Sequence, residues 1–229
     1  MERIILLETS TNLCSAALVE DGKITAWRES SEPRAHASLT AVFVDEILKE
    51  RGLTPSDCSA VCVSKGPGSY TGLRVGVSSA KGLCFGARLP LLSVGTLDTL
   101  VYQAIAEGLV PEGCTRIVPM VDARRMEVYT AVFAPDGSRL SEVEPMIIDS
   151  ESFADITKDG PVLFIGDGAG KCEGVIGGNA VFVQCCPKAS AMLVPAVKAL
   201  HERQFEDVAY FEPFYLKEFV ATVSKKSLF

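Results

Sequence analysis

An internally duplicated α/β fold of two lobes is what the sequence predicts, on three observations. The chain opens as a strand meander and then alternates strands with helices. The pattern breaks near Gly108 to Gly113, and the second half partly repeats the opening. Each half also carries a glycine-rich turn directly after a strand, at 66–72 and at 166–171. The expected lobes are residues 1–106 and 107–229.

Ile4 to Leu7 is a continuous apolar run and reads as a buried strand. A polar turn at Thr11-Asn12 leads to a second strand, Cys14 to Val19, and Asp21-Gly22 is a hairpin signal before a third, Ile24 to Trp27. An antiparallel opening of this kind is not the start of a Rossmann sheet. Ala35 to Arg51 reads as a helix with Gly52 as its C-terminal glycine. Ala60 to Ser64 is a short buried strand that runs into the segment Lys65 to Gly76 and a helix reaching about Ala87. Pro90 to Val94 is another strand, and Thr96 is the expected N-cap of a helix through Ala106. In the second half, Ile117 to Val121 leads to Asp122, and Val128 to Phe133 leads to a Pro135-Asp136-Gly137 turn. Val162 to Ile165 leads to the glycine-rich turn at 166–171, Val181 to Gln184 is a further strand, and Ser190 to about Arg203 is a helix.

Composition excludes several classes of function. The 229 residues hold 22 Lys and Arg against 29 Asp and Glu, a net charge of −7 at a pI near 5.0. A stand-alone nucleic-acid binder needs a basic surface, so this balance argues against one. Hydrophobic residues at 48% and charged residues at 22% are globular usage and exclude disorder as the main state. The longest stretch without a charge, Gly174 to Pro187, is 14 residues with three glycines, short of the ~18 a membrane span needs. With no export signal at the N-terminus, a cytoplasmic protein with free thiols at its eight cysteines is expected. Only His36 and His201 are available as imidazoles, and no CxxC pair exists, so no metal site is expected.

Two features point towards binding. The loop Gly66-Pro67-Gly68-Ser69-Tyr70-Thr71-Gly72 leaves a strand and enters a helix, where backbone N–H groups can meet an anion. It fits neither GxGxxG nor GxxxxGK[ST]. A phosphate or nucleotide loop built on Gly66, Gly68, Ser69 and Gly72 and a tight turn with hydroxyl caps therefore stand as equal readings. The loop at 166–171 has the same two readings. In the helix from Ala35, apolar residues occupy most of the circumference, more than one core-facing stripe requires. In the next helix Gly72, Gly76 and Ala80 form a small-residue line at which another helix can pack closely. The favoured expectation is an exposed helical patch of Leu39, Thr40, Phe43, Ile47, Leu73, Arg74 and Val77 used by a partner. The alternative is a helix buried on all sides within the chain.

Candidates for catalysis are few. No G-x-S-x-G elbow is present. His36 reads as a packing residue. Glu8 and Asp122 each follow a strand in the two halves, where a carboxylate either orients a metal or water or caps a turn. Arg124-Arg125 is a local positive spot that either meets phosphate or pairs with Glu127.

Four segments, ILLETS at 5–10, VSKGPGSYTGLRVGVSSAKGL at 63–83, PLLSVGTLDTL at 90–100 and VDARRMEVYTAVF at 121–133, resemble the bacterial TsaB (YeaZ) family. The resemblance runs in order over nearly the whole chain and ends at Pro213 to Lys217, where the family's P-x-Y-L-R has lysine for arginine. It implies an ASKHA fold, that of actin-like ATPases and ribonuclease H-like proteins, with mixed sheets flanked by helices in two duplicated lobes. It further implies a non-catalytic stimulatory subunit in forming threonylcarbamoyladenosine (t6A) at tRNA position 37. The implied partners are a catalytic TsaD-like subunit and a TsaE-like ATPase, with homodimers when alone and tRNA contact only through the complex. No cofactor is required, and weak nucleotide binding is left open. TsaD-like proteins carry H-x3-H, and the matching positions here are Thr96 and Leu100, neither able to replace an imidazole at a metal. The same absence counts against the older M22 glycoprotease label. The rival reading is an enzyme, either an ASKHA nucleotide hydrolase or kinase using Glu8 and Asp122, or an M22-like metallopeptidase.

Overall fold

The computed structural model describes residues 1–217. The first half contains β1 (Arg3–Glu8), β2 (Cys14–Glu20), β3 (Lys23–Ser30), α1 (Ala35–Glu50), β4 (Ala60–Gly66), α2 (Tyr70–Ala87), β5 (Leu91–Gly95) and α3 (Thr96–Ala106). The second contains β6 (Arg116–Asp122), β7 (Glu127–Thr130), β8 (Glu144–Ile147), α4 (Ala154–Thr157), β9 (Val162–Gly166), β10 (Ala180–Gln184) and α5 (Leu193–His201).

Two five-stranded mixed sheets result, ordered β3-β2-β1-β4-β5 and β10-β9-β6-β7-β8. In each, the central strand pairs antiparallel with the next strand in the chain, and parallel with a later one. Taken from the opposite edge, the second sheet repeats the first, which is the duplication the sequence predicts. Asp21 and Gly22, at φ 47° and 74°, make the tight turn between β2 and β3. Gly52, at φ 66°, comes after α1, where a side chain would be strained.

Some expected details change. Gly95, not Thr96, is the N-cap of α3, because β5 runs straight into the helix. Thr96 thereby turns inward, its hydroxyl 2.9 Å from that of Ser64. The helix expected from Ser190 begins as a 3-10 turn, Ala189–Met192, and becomes α-helical only at Leu193. Pro195 lies in that first α-helical turn, where its missing N–H is not needed. β8 is not expected from the sequence, since Pro145 argues against a strand there. It is tolerated because β8 is an edge strand.

Side-chain alternation along the strands decides what covers each face. Ile5 and Leu7 of β1 and Val61 and Val63 of β4 face α1 and α2, packing on Phe43, Val44, Ile47, Val77 and Ala80. Their neighbours Ile4, Leu6, Ala60 and Cys62 face the opposite way, onto Met192, Ala196 and Ala199 of the last helical segment. In the second sheet, Ile117, Val121, Leu163 and Ile165 pack on Leu97, Leu100, Val101 and Ala104 of α3. The packing thus crosses the expected boundary after residue 106. α3 precedes that boundary but covers the second sheet, whereas α5 lies beyond it but covers the first.

Polar links reinforce this exchange. The buried Gln103 amide of α3 donates to the Cys186 carbonyl at 3.3 Å and accepts from Lys188 N–H at 3.0 Å. The Ala189 N–H donates to the Ser15 hydroxyl at 2.6 Å.

Candidate functional site

The central strands β1 and β6 end in carboxylates, Glu8 and Asp122. Their environments are opposite. Glu8 is fully buried; its Oε1 accepts the Ser10 N–H at 2.7 Å, and its Oε2 has no partner among the described residues. Burial pushes the Glu8 carboxyl up to about 7, against the opposing pull of Ser10 and Ser64. Asp122 is exposed, accepts the Arg124 N–H at 3.0 Å, and forms an ion pair with Lys171. Asp167, after β9, accepts the Asp122 N–H at 2.9 Å and is pushed up to about 6 by burial. Among the described residues no group of three His, Cys, Asp or Glu side chains could hold a metal ion.

The turn after β1 meets the glycine-rich loop. Ser69 donates its N–H to the Ser10 carbonyl at 2.6 Å, and its hydroxyl accepts the Gly72 N–H at 3.3 Å as the cap of α2. The Thr9 hydroxyl donates to the Gly72 carbonyl at 2.9 Å. A Cβ at Gly68 would overlap the Ser10 carbonyl, and one at Gly72 the Thr9 carbonyl. A Cβ at Gly76 would overlap the Thr9 hydroxyl. The small-residue line therefore seats α2 on the end of β1. The helix partner expected at that line is replaced by a strand turn of the same chain. Gly66, at φ 107°, faces the Phe214 carbonyl, and its loop is clasped by the C-terminal segment through a Phe214 N–H to Lys65 carbonyl bond of 2.7 Å.

The second glycine-rich loop is held by its own neighbours. The Gln184 side chain accepts the Gly170 N–H at 2.6 Å and donates to the Asp167 carbonyl at 2.9 Å, while Lys171 is engaged by Asp122 and by the Glu127 carbonyl at 2.6 Å.

The expected helical patch is corrected by burial. Thr40, Phe43, Ile47, Leu73 and Val77 are buried inside the chain. α1 and α2 lie side by side over the first sheet, and the sheet and α2 together bury most of the apolar arc of α1 while leaving Ala41 and Val42 exposed. Leu39 is half-buried and Arg74 exposed. Arg74 lies 5.0 Å over the Tyr70 ring, itself 5.0 Å from that of Tyr215. The outer face of the pair offers Val42, 43% exposed, and Phe85, 83% exposed, neither of which belongs to the expected seven. His36 packs on the β1–β2 turn, its Nε2 2.8 Å from the Thr11 carbonyl. The C-terminal segment runs from Lys81, which donates to the Ala209 and Phe211 carbonyls, to Lys217, which pairs with Glu127 beyond β6. It straps the two sheets together on that side.

Two copies of one mixed sheet, each with an acidic residue ending its central strand, define a protein of the actin-like ATPase (ASKHA) class. The family model described as TsaD: tRNA N6-adenosine threonylcarbamoyltransferase matches residues 30–168. The tRNA threonylcarbamoyladenosine biosynthesis protein TsaB of Escherichia coli is 32% identical over 231 residues, covering 96% of each chain. The protein of that name from Haemophilus influenzae is 40% identical over 126 residues, 55% of this chain and 51% of its own. YeaZ from Pseudomonas aeruginosa superposes with a TM-score of 0.80 at 27% identity, covering 94% of this chain and all of that one. The chain belongs to the TsaB (YeaZ) family of the TsaD-related superfamily. Among the described residues no helix is long and apolar enough to cross a membrane.

Proposed function

We propose that this chain is the non-catalytic, stimulatory subunit of the complex that places threonylcarbamoyl on adenosine 37 of tRNA. Its relatives are named for threonylcarbamoyladenosine biosynthesis, and the chain takes part in that biosynthesis. The observation that carries the finer reading lies at the start of α3. Where TsaD-like proteins place two histidines one helical turn apart, this chain has Thr96, bonded to Ser64, and Leu100, packed in the core of the second sheet. Neither can ligate a metal, so the chemistry belongs to a TsaD-like partner, with a TsaE-like ATPase joining the assembly. In this reading the chain needs no cofactor of its own, pairs with itself when alone, and meets tRNA only in the complex.

The test is t6A formation on tRNA in a purified reaction of the TsaD-like subunit, the TsaE-like ATPase and the adenylate-forming enzyme. Product is expected to rise when the chain is added, with no turnover by the chain alone. A reaction indifferent to the chain would overturn the reading.

The partner surface in this reading is the outer face of α1 and α2, where Leu39 and Arg74 remain accessible. Val77 is unsuitable for testing it, because a charge at that buried position disrupts the core itself. Leu39→Glu combined with Arg74→Glu is expected to weaken pairing with the TsaD-like subunit by about tenfold or more, as for interface anchors. Titration calorimetry reads this out, with a native circular dichroism spectrum at the assay temperature as the control for folding, since Leu39 packs partly on the core.

A further inference from the structure

Arg124 and Arg125 lie at the tip of the β6–β7 hairpin, and both are held at positive φ, 71° and 52°. Ala123 N–H closes the hairpin onto the Glu127 carbonyl at 3.0 Å. Consecutive left-handed residues in such a turn are met without strain by Asn-Gly or Gly-Gly. Arginine gains nothing there through its backbone, and what the tip presents to its surroundings is two side chains.

Both residues are exposed, and among the described residues neither guanidinium has an ion-pair or hydrogen-bond partner. The expected alternative, pairing with Glu127, is not formed, because Lys217 takes Glu127. Lys171 takes Asp122, and Asp167 is bonded to the Asp122 N–H. The neighbouring carboxylates are thus engaged, and two uncompensated positive charges remain on a chain of net charge −7. Lys171 and Lys217, brought from two other segments, flank the same hairpin.

We infer that the Arg124-Arg125 tip grips the phosphodiester backbone of the RNA substrate in the assembled complex. The inference rests on the proposed function. Guanidinium forks match phosphate oxygens two at a time. Exposed forks on a hairpin tip suit a continuous strand, whereas a mononucleotide is bound in an enclosing cleft. Such contacts set affinity and orientation without reading sequence, and they suit a chain too acidic to hold RNA alone.

The experiment uses the complete complex with full-length chain and unmodified tRNA, comparing Arg124→Gln/Arg125→Gln with Arg124→Lys/Arg125→Lys. Loss of two phosphate contacts is expected to lower the log–log salt slope of tRNA binding by about 2 and to raise Kd roughly tenfold. The lysine variant is expected to keep most of the slope. Pairing with the catalytic subunit, measured without RNA, is expected to stay at the wild-type value. If the wild-type chain stimulates the reaction but the glutamine variant binds tRNA with unchanged affinity and slope, the inference is overturned and the functional reading stands. Weakened pairing without RNA would assign the tip to an acidic protein surface, and lost ATP binding with RNA affinity intact would assign it to a nucleotide; either overturns it. A wild-type chain without effect on the reaction removes both.

Discussion

Gly72→Val is expected to destabilise the protein by about 3 kcal/mol, at the upper end of overpacking effects. The cause is local and specific. The Cβ direction of Gly72 points at the Thr9 carbonyl, a backbone atom at the end of the central strand, which no rotamer change can move away. Either α2 lifts off β1, opening the contacts of Leu73, Val77 and Ala80, or the Thr9–Ser10 turn shifts and breaks the 2.6 Å bond from Ser69. In a chain of this size the change corresponds to a melting temperature lower by roughly 6–12 °C. Gly82→Ala, on the same helix, has the opposite expected sign. Nothing lies within 4 Å of its Cβ position, so alanine is expected to stabilise by about 0.5–1 kcal/mol. Equal effects from the two substitutions would refute the packing account of the small-residue line.

A comparably large effect is expected from Glu8 as a function of pH. Its carboxyl is raised from 4.5 to about 7 in the folded chain. Below pH 4.5 it is protonated in both the folded and unfolded states and costs nothing. As pH rises from 4.5 to 7, the unfolded chain releases this proton while the folded chain holds it, so stability falls. Above 7 both are ionised and the full penalty, about 3 kcal/mol, stays in place. Urea unfolding of wild type and Glu8→Gln across pH 4–8 reads this directly. The wild type is expected to lose stability across that window relative to the variant, whose curve lacks this component. Asp167 is raised as well, but it is common to both proteins and cancels in the difference. Parallel curves would mean that the carboxylate is ionised when buried, held by groups other than those seen around it.

Legibility in the sequence is set by local chemistry. The apolar runs of β1, β4 and β9, the Asp21-Gly22 turn and the Gly52 stop each carry their own physical reason, and each is found in place. The partial repeat of the opening foretells the second sheet. The illegible part depends on which distant segment fills a given space. The helical wheel shows that α1 is apolar around most of its circumference, but not which part of it the sheet and α2 occupy and which part, at Ala41 and Val42, stays exposed. The spacing of Gly72, Gly76 and Ala80 announces a close approach without saying that Thr9 makes it. Arg125 and Glu127 are near neighbours in the chain, yet Lys217 takes the carboxylate because the folded C-terminal segment delivers it there. The boundary after residue 106 reflects sequence repetition, whereas packing obeys the faces of the sheets.

That reciprocal cover of the sheets has a consequence for how the protein is made. The ribosome delivers β1 to β5 well before α5, so the nascent first sheet leaves the exit tunnel with Ile4, Leu6, Cys62, Leu92 and Val94 bare on one side. That side can be sealed only once the whole second sheet has been translated. Neither lobe can mature as an independent vectorial unit, and until α5 has been translated the growing polypeptide carries a bare apolar sheet face of the kind that promotes misassembly.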